Sequence, residues 1–276
     1  MVSEIPFRRR PTGTLGSYAR LFLVHLRVSL TVAAAYRFQF LLDGALALLW
    51  AAVGVVPLSV ALLDRPPIEG WTFDRALVVV GLFTMLKAIL DGSVNPSLVA
   101  VVDHIRKGTL DFLLMKPKDA QFLVYTSKME LWRGVDLLAG AAIVAWAFAR
   151  MGTTPAPADV ALAALLLASA TVLLYSVWLL VVTAAFWVVR LDNLAYMFNA
   201  LFDFARWPRT VMKGAFRIVF TFVLPITVMT SYPAEALLGT LSTSSVALSL
   251  SLATFFAITA RLTFLHALRR YTSASS

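Results

Sequence analysis

Residues 160–189 read VALAALLLASATVLLYSVWLLVVTAAFWVV, thirty residues without one charged side chain. About twenty apolar residues in a helix suffice to cross the roughly 30 Å hydrocarbon core of a bilayer, so this run can cross with tilt or protrude. A helix apolar on every side belongs in a membrane or at the centre of a large core. The rest of the chain decides between the two. Outward from this run, further apolar blocks occupy Phe38–Leu63, Ala76–Ala100, Gly134–Met151 and Val246–Leu268. A sixth region, Ile218–Thr230, is too short to cross alone and continues through Ser231-Tyr232-Pro233 into Ala234–Gly239. The pattern predicts an all-α integral membrane protein with six transmembrane helices.

Composition agrees. The 276 residues are 60% apolar and 14% charged, with a mean hydropathy of +0.81, against roughly 45–50% and 25% in soluble domains. The net charge of +9 punctuates the apolar blocks instead of forming one stripe, which points to a membrane surface and not to nucleic acid. No cysteine is present, and the three histidines, His25, His104 and His266, lie far apart, so no metal-ligand spacing is found. Some twenty lysines and arginines fall in the N-terminal segment, residues 101–133, residues 190–217 and the C-terminal end; the opposite loops hold Arg65, Arg75 and Arg150. By the positive-inside rule both termini are expected in the cytoplasm.

The expected organisation is a cytoplasmic N-terminal part (1–37), a six-span transmembrane part (38–268) and a cytoplasmic tail (269–276). Arg8-Arg9-Arg10-Pro11 is not followed by the short apolar run and small-residue cleavage site of a secretory signal. Residues 14–37 read as an amphipathic helix, with Leu21, Val24, Val28 and Val32 at helical spacing and Arg20 and Arg27 elsewhere on the wheel. It fits a helix lying in the membrane interface; a short helix packed on the body is the alternative.

Three charges fall inside predicted spans: Asp43, Lys87 and Asp91. Each costs about 2.5–3.5 kcal/mol on insertion scales and should face protein or water. Lys87 and Asp91 are four residues apart and can pair on one helix face, with Asp43 as a possible third member. An ion-paired brace between the first two helices and a polar path or proton relay are both consistent with this. The relay reading leads to an ion- or proton-coupled secondary transporter or channel. Asn95-Pro96 should kink the end of the second helix.

Two connectors stand out. In Gly108-Thr109-Leu110-Asp111-Phe112-Leu113-Leu114-Met115-Lys116-Pro117, Gly108 permits a turn and Pro117 stops a brief apolar helix flanked by basic residues. Such a piece docks either on the bilayer or into a groove on a partner. Farther on, Trp207-Pro208 precedes a region broken by Pro225 and Pro233, with Tyr232 and Glu235 between apolar residues. Irregular backbone at membrane depth requires protein or a water-filled cavity around it, which predicts a segment that enters, breaks and re-enters.

On these connectors, and on Tyr36-Arg37-Phe38, the sequence resembles the permease subunits of ATP-binding-cassette exporters of the ABC-2 type, in the six-helix bacterial subfamily grouped with drug-export permeases. The matching runs are Gly108-Thr109-Leu110-Asp111 through Lys116-Pro117, then Trp207-Pro208, Leu224-Pro225 and Tyr232-Pro233-Ala234-Glu235-Ala236-Leu237-Leu238-Gly239. Where the family usually has Phe or Tyr before the proline, this chain has Trp207. The resemblance implies an N-terminal amphipathic interface helix, a cytoplasmic coupling helix between the second and third spans, and a re-entrant segment before the last. It implies a bacterial cytoplasmic-membrane protein that pairs with a second permease chain, identical or related, and with a separate ATPase. Gly108, Leu110, Asp111, Leu113, Leu114, Lys116 and Pro117 would contact that ATPase. No Gly-x-x-x-x-Gly-Lys-Ser/Thr run occurs in the chain, so ATP and magnesium are expected on the partner and no cofactor on this chain. No catalytic arrangement of side chains is found in the spans. Trp50, Phe83 and Phe198 are the expected path-lining residues for a hydrophobic or amphipathic cargo.

Overall fold

The computed structural model describes residues 15–68, 70–115, 118–126, 128–184 and 192–270. Among them the chain is helical throughout, without a strand beyond the single bridge between Ile68 and Trp71. Helix α1 (Leu15–Ala35) ends at Tyr36, whose backbone leaves the helical range, and α2 (Arg37–Leu62) begins directly after it. The long second crossing is built from α3 (Phe73–Ile89), a π-helical turn (Leu90–Val94) and α4 (Asn95–Arg106). The short helices α5 (Leu110–Leu114) and α6 (Ala120–Tyr125) make the connector. Then come α7 (Gly134–Met151), α8 (Pro157–Thr183), α9 (Asp192–Phe202), α10 (Ala215–Ile218) with its π-helical extension Val219–Val223, α11 (Ile226–Leu237) and α12 (Thr243–Arg270).

Local chemistry sets most boundaries. The Thr72 hydroxyl caps α3 by accepting from the Arg75 N–H. Gly152, at φ +66°, ends α7 in the left-handed conformation, and Pro157 opens α8 at a position where its missing N–H costs nothing. Among the described residues, five helices are long and apolar enough to cross a membrane: Arg37–Leu62, Phe73–Ile105, Leu131–Met151, Pro157–Thr183 and Thr243–Arg269. The sixth candidate is a bent pair, Ala215–Val223 with Ile226–Leu237, turned by 86° at Leu224-Pro225. Five ordinary crossings and one broken segment are what the apolar blocks predicted.

The expected kink at Asn95-Pro96 takes the form of the π turn just before it. Widening the helix there lets Pro96 open α4 without a clash, and it frees the Gly92 carbonyl to accept from the Glu130 N–H at 2.7 Å. Helices α3 and α7 pack most closely. A Cβ on Gly81 would lie 2.7 Å from the Gly140 carbonyl oxygen, and one on Gly140 would lie 2.6 Å from that of Gly81. Two glycines facing each other bring backbones together, the device that membrane helices use where no hydrophobic driving force separates helix from lipid.

Two expectations need correction. Pro233 does not break its helix: α11 runs through it, and Ile226–Ala236 is buried along its whole length, so packing offsets the lost hydrogen bond. Residues 190–217 were expected as a connector on the same side as 101–133. Their described part instead climbs inside the bundle towards the Leu237 end of α11. The Thr230 hydroxyl donates to the Ala205 carbonyl at 2.6 Å, and Arg209 reaches Glu235 at 2.7 Å. These polar groups find partners on α11, which is why the stretch looks like a loop in sequence and packs like core.

Candidate functional site

Charged side chains from three elements meet where α3 passes into its π turn. Lys87 lies 3.6 Å from Asp203 and 4.0 Å from Asp91, and it donates to Asn199 at 3.3 Å. Arg133 lies 3.5 Å from Asp91 and 3.1 Å from Asp136, while Arg206 lies 3.3 Å from Asp203. Asp91 is eighteen residues beyond Phe73, about 27 Å along the helix. The cluster therefore sits at one edge of the apolar layer, level with the first turn of α7. The brace expected between the first two helices joins the second crossing to the third and to α9's end instead. Asp43 is not one of its ion-paired members; its carboxylate accepts from Gln39 at 2.8 Å.

The cluster forms a septum between two cavities. One, of about 830 Å³, opens towards the connector past Asn95, Asp103 and Lys128. The other, of about 520 Å³, reaches into the apolar layer along Asp43, Leu46, Trp50 and Phe83. Lys87, Asp91, Arg133 and Asp203 line both. Trp50 and Phe83 thus share one cavity. Phe198 does not: it is buried against Trp178, ring centroids 4.5 Å apart, and belongs to the core. It packs in the apolar core between α8 and α9.

The connector is turned by Gly108 at φ +65°, and Thr109 bonds back to His104 through its N–H (2.9 Å) and its hydroxyl (2.8 Å). Leu110 then points inward and is fully buried in the core, so it cannot serve a partner. Among the described side chains of α5 and its end, the exposed apolar ones are Phe112 (68%) and Met115 (70%), which were not among the expected contacts. Their signal was present in the sequence, since they alternate with the leucines across the same short helix. Asp111 is half-buried; Lys116 and Pro117, and the side chains of Leu113 and Leu114, lie outside the described residues.

Residues 118–126 tie three parts of the molecule together. The Asp119 N–H donates to the Tyr18 hydroxyl at 3.3 Å, Lys118 donates to Ser17 at 2.6 Å, and His25 lies 3.0 Å from the Thr126 hydroxyl. Helix α1 thus packs on the body through Ser17, Tyr18 and His25 and leaves Leu23, Val24, Val28 and Leu30 exposed. From the last crossing, Arg261 binds both Asp119 carboxylate oxygens and the Gln121 side-chain carbonyl, the latter at 2.8 Å. Partial burial acts to raise the Asp119 carboxyl, but the hydrogen bonds and charge of Arg261, with the Phe122 and Gln121 backbone N–H groups, outweigh it and hold the group below the usual carboxylate range. On α4, Ser97 lies 2.8 and 2.7 Å from the carbonyls of Tyr125 and Lys128.

At the bent segment, Pro225 starts α11 directly after the break, and Tyr232 and Glu235 are buried. Arg209 stacks over the Tyr232 ring at 5.3 Å and pairs with Glu235, and its N–H donates to Ser231 at 3.1 Å.

A family model described as ABC-2 family transporter protein matches residues 48–275, most of the chain. No curated protein and no solved structure matches.

Proposed function

The chain belongs to the ABC-2 transporter family, and on that premise we propose that it is half of the translocation path of an ATP-driven exporter, worked by a separate ATPase that docks on the connector. Membership of the family makes the chain a membrane permease component and not itself the catalytic one. The finer reading rests on one observation above all. The connector presents Phe112 and Met115 to the outside while its neighbours 118–126 are bonded to α1, α4 and α12. Two large apolar side chains, one on a five-residue helix and one directly after it, outside every crossing, suit insertion into a groove on a protein partner.

In this reading ATP and magnesium are held by the partner, whose closure pushes on α5. The push reaches the crossings through Ser97 on α4 and Arg261 on α12. The ion-paired septum of Lys87, Asp91, Arg133 and Asp203 separates the two cavities and opens as the halves rock between inward- and outward-facing states. The second half is another permease chain, identical or related. Its contact would cover part of α2, where Leu41, Leu42, Leu49 and Val60 are exposed, with lipid covering the rest. Residues 1–37 and 269–276 would lie in the cytoplasm of a bacterium, flanking the transmembrane part 38–268, with the bent segment of Pro225, Tyr232, Pro233 and Glu235 re-entering from the outer face.

Replacing Phe112 and Met115 together by Ala should abolish co-purification of a co-expressed ATP-binding-cassette ATPase while the permease keeps its yield and elution volume. Full retention of the ATPase by that variant would refute the docking site.

A further inference from the structure

The 520 Å³ cavity carries a charge that its own ion pairs do not cancel. Its walls hold three cations, Lys87, Arg133 and Arg206, and four carboxylates, Asp43, Asp91, Asp136 and Asp203. Each cation lies within 4.0 Å of a carboxylate. Asp43 is the remainder. Among the described residues no lysine, arginine or histidine lies within ion-pair distance of it, and the Gln39 amide that donates to it fixes its orientation without neutralising it.

The neighbouring wall is apolar and aromatic. Asp43, Leu46, Trp50 and Gly54 all line the cavity, and their spacing of three, seven and eleven residues puts them on one stripe of α2. Trp50 is 69% exposed and lies two turns farther into the apolar layer than Asp43. Phe83 faces them from α3. A carboxylate and an indole about two turns apart on one wall, in a pocket within the usual size range of roughly 300–1,000 Å³ for small molecules, is the chemistry that holds a positive charge on an apolar body. An anion of the same shape would meet Asp43 at low dielectric and be repelled. A small inorganic cation would find one free carboxylate and too few oxygens to replace its water.

We propose that this cavity binds an amphipathic monocation, its charge between the Asp43 carboxylate and the Trp50 ring and its apolar body against Leu46 and Phe83. This deepens the reading of the two cavities on either side of the septum as parts of the translocation path and rests on it. Asp43 and Leu46 precede the residues matched to the family, so the assignment comes from this chain's own geometry.

The test uses the purified full-length chain in lipid nanodiscs and two probes of nearly identical shape and opposite charge, tetraphenylphosphonium and tetraphenylborate. Saturable tetraphenylphosphonium binding is expected, undisplaced by tetraphenylborate, weakened at least tenfold by Asp43→Asn and retained by Asp43→Glu. Equal affinity of Asp43→Asn and the parent chain for tetraphenylphosphonium would overturn the proposal. So would equal binding of tetraphenylborate by the unsubstituted chain, a measurement that needs no variant to fold. Binding requires no ATPase. Its failure with ATPase capture intact rejects the ligand class alone, and failure of ATPase capture with binding intact rejects the docking site alone.

Discussion

Arg261 shows what a single charge can do at the edge of a membrane. It lies eighteen residues into α12, about 27 Å from its start, where an unpaired guanidinium would have to reach past the apolar layer for water. Its planar fork instead takes both oxygens of Asp119 and the Gln121 carbonyl, a geometry that lysine cannot reproduce. Arg261→Lys should therefore raise amide exchange across 119–126, and the double variant Asp119→Arg with Arg261→Asp should recover part of the protection. Because the Asp119 carboxyl is held below its unfolded value, its contribution is present above the ordinary carboxylate range and lost as pH falls through the lowered value. The thermal-stability advantage of the parent chain over Asp119→Asn should thus stay constant from neutral pH to about pH 4, the unperturbed range, and close below it. An advantage that grew on acidification would contradict this pairing.

The elements divide by how much of their reason is local. Runs such as 160–189 declare themselves, because a bilayer imposes both their length and their lack of charge. The bent segment was visible as well, since Pro225 and an apolar stretch too short to cross leave few alternatives. What could not be read was where its polar groups go. Arg209 looks like a loop cation until α11 brings Glu235 to 2.7 Å, twenty-six residues later in the chain. Leu110 looked like a contact residue because its inward turn depends on how α5 sits against α4 and α6. The Gly81–Gly140 contact was equally silent, because each glycine has meaning only opposite the other. Gly81→Ala should cost on the order of 1–3 kcal/mol, read as loss of thermal stability in detergent, since the new Cβ would lie 2.6 Å from the Val144 side chain and 2.7 Å from the Gly140 carbonyl oxygen, and the backbone oxygen cannot swing away. Gly140→Leu should prevent recovery of folded protein. Arg209→Ala should also destabilise, by about 1–3 kcal/mol, since it leaves the buried Glu235 carboxylate without its partner.

For the whole molecule, the number of crossings and the distribution of charge were legible, while the assembly of the site was not. Asp43, Lys87 and Asp91 stood out as charges in apolar runs, yet Arg133, Asp136 and Asp203 complete the septum from span edges and from α9's end, where a charge draws no notice. The result is a chain with no phosphate-binding loop of its own, two cavities divided by ion pairs, and a connector whose apolar tip faces outward while its base is bonded to three helices. In the proposed coupling, the ATPase applies force at Phe112 and Met115. Site-specific photocross-linking measures that directly: a benzophenone amino acid at position 112, or at the exposed Leu165 of α8 as control, in cells that also produce an ATP-binding-cassette ATPase. A cross-link to the ATPase from position 112 and none from position 165 is the expected result; no ATPase adduct at 112, or equal adducts at both, would contradict the proposed coupling.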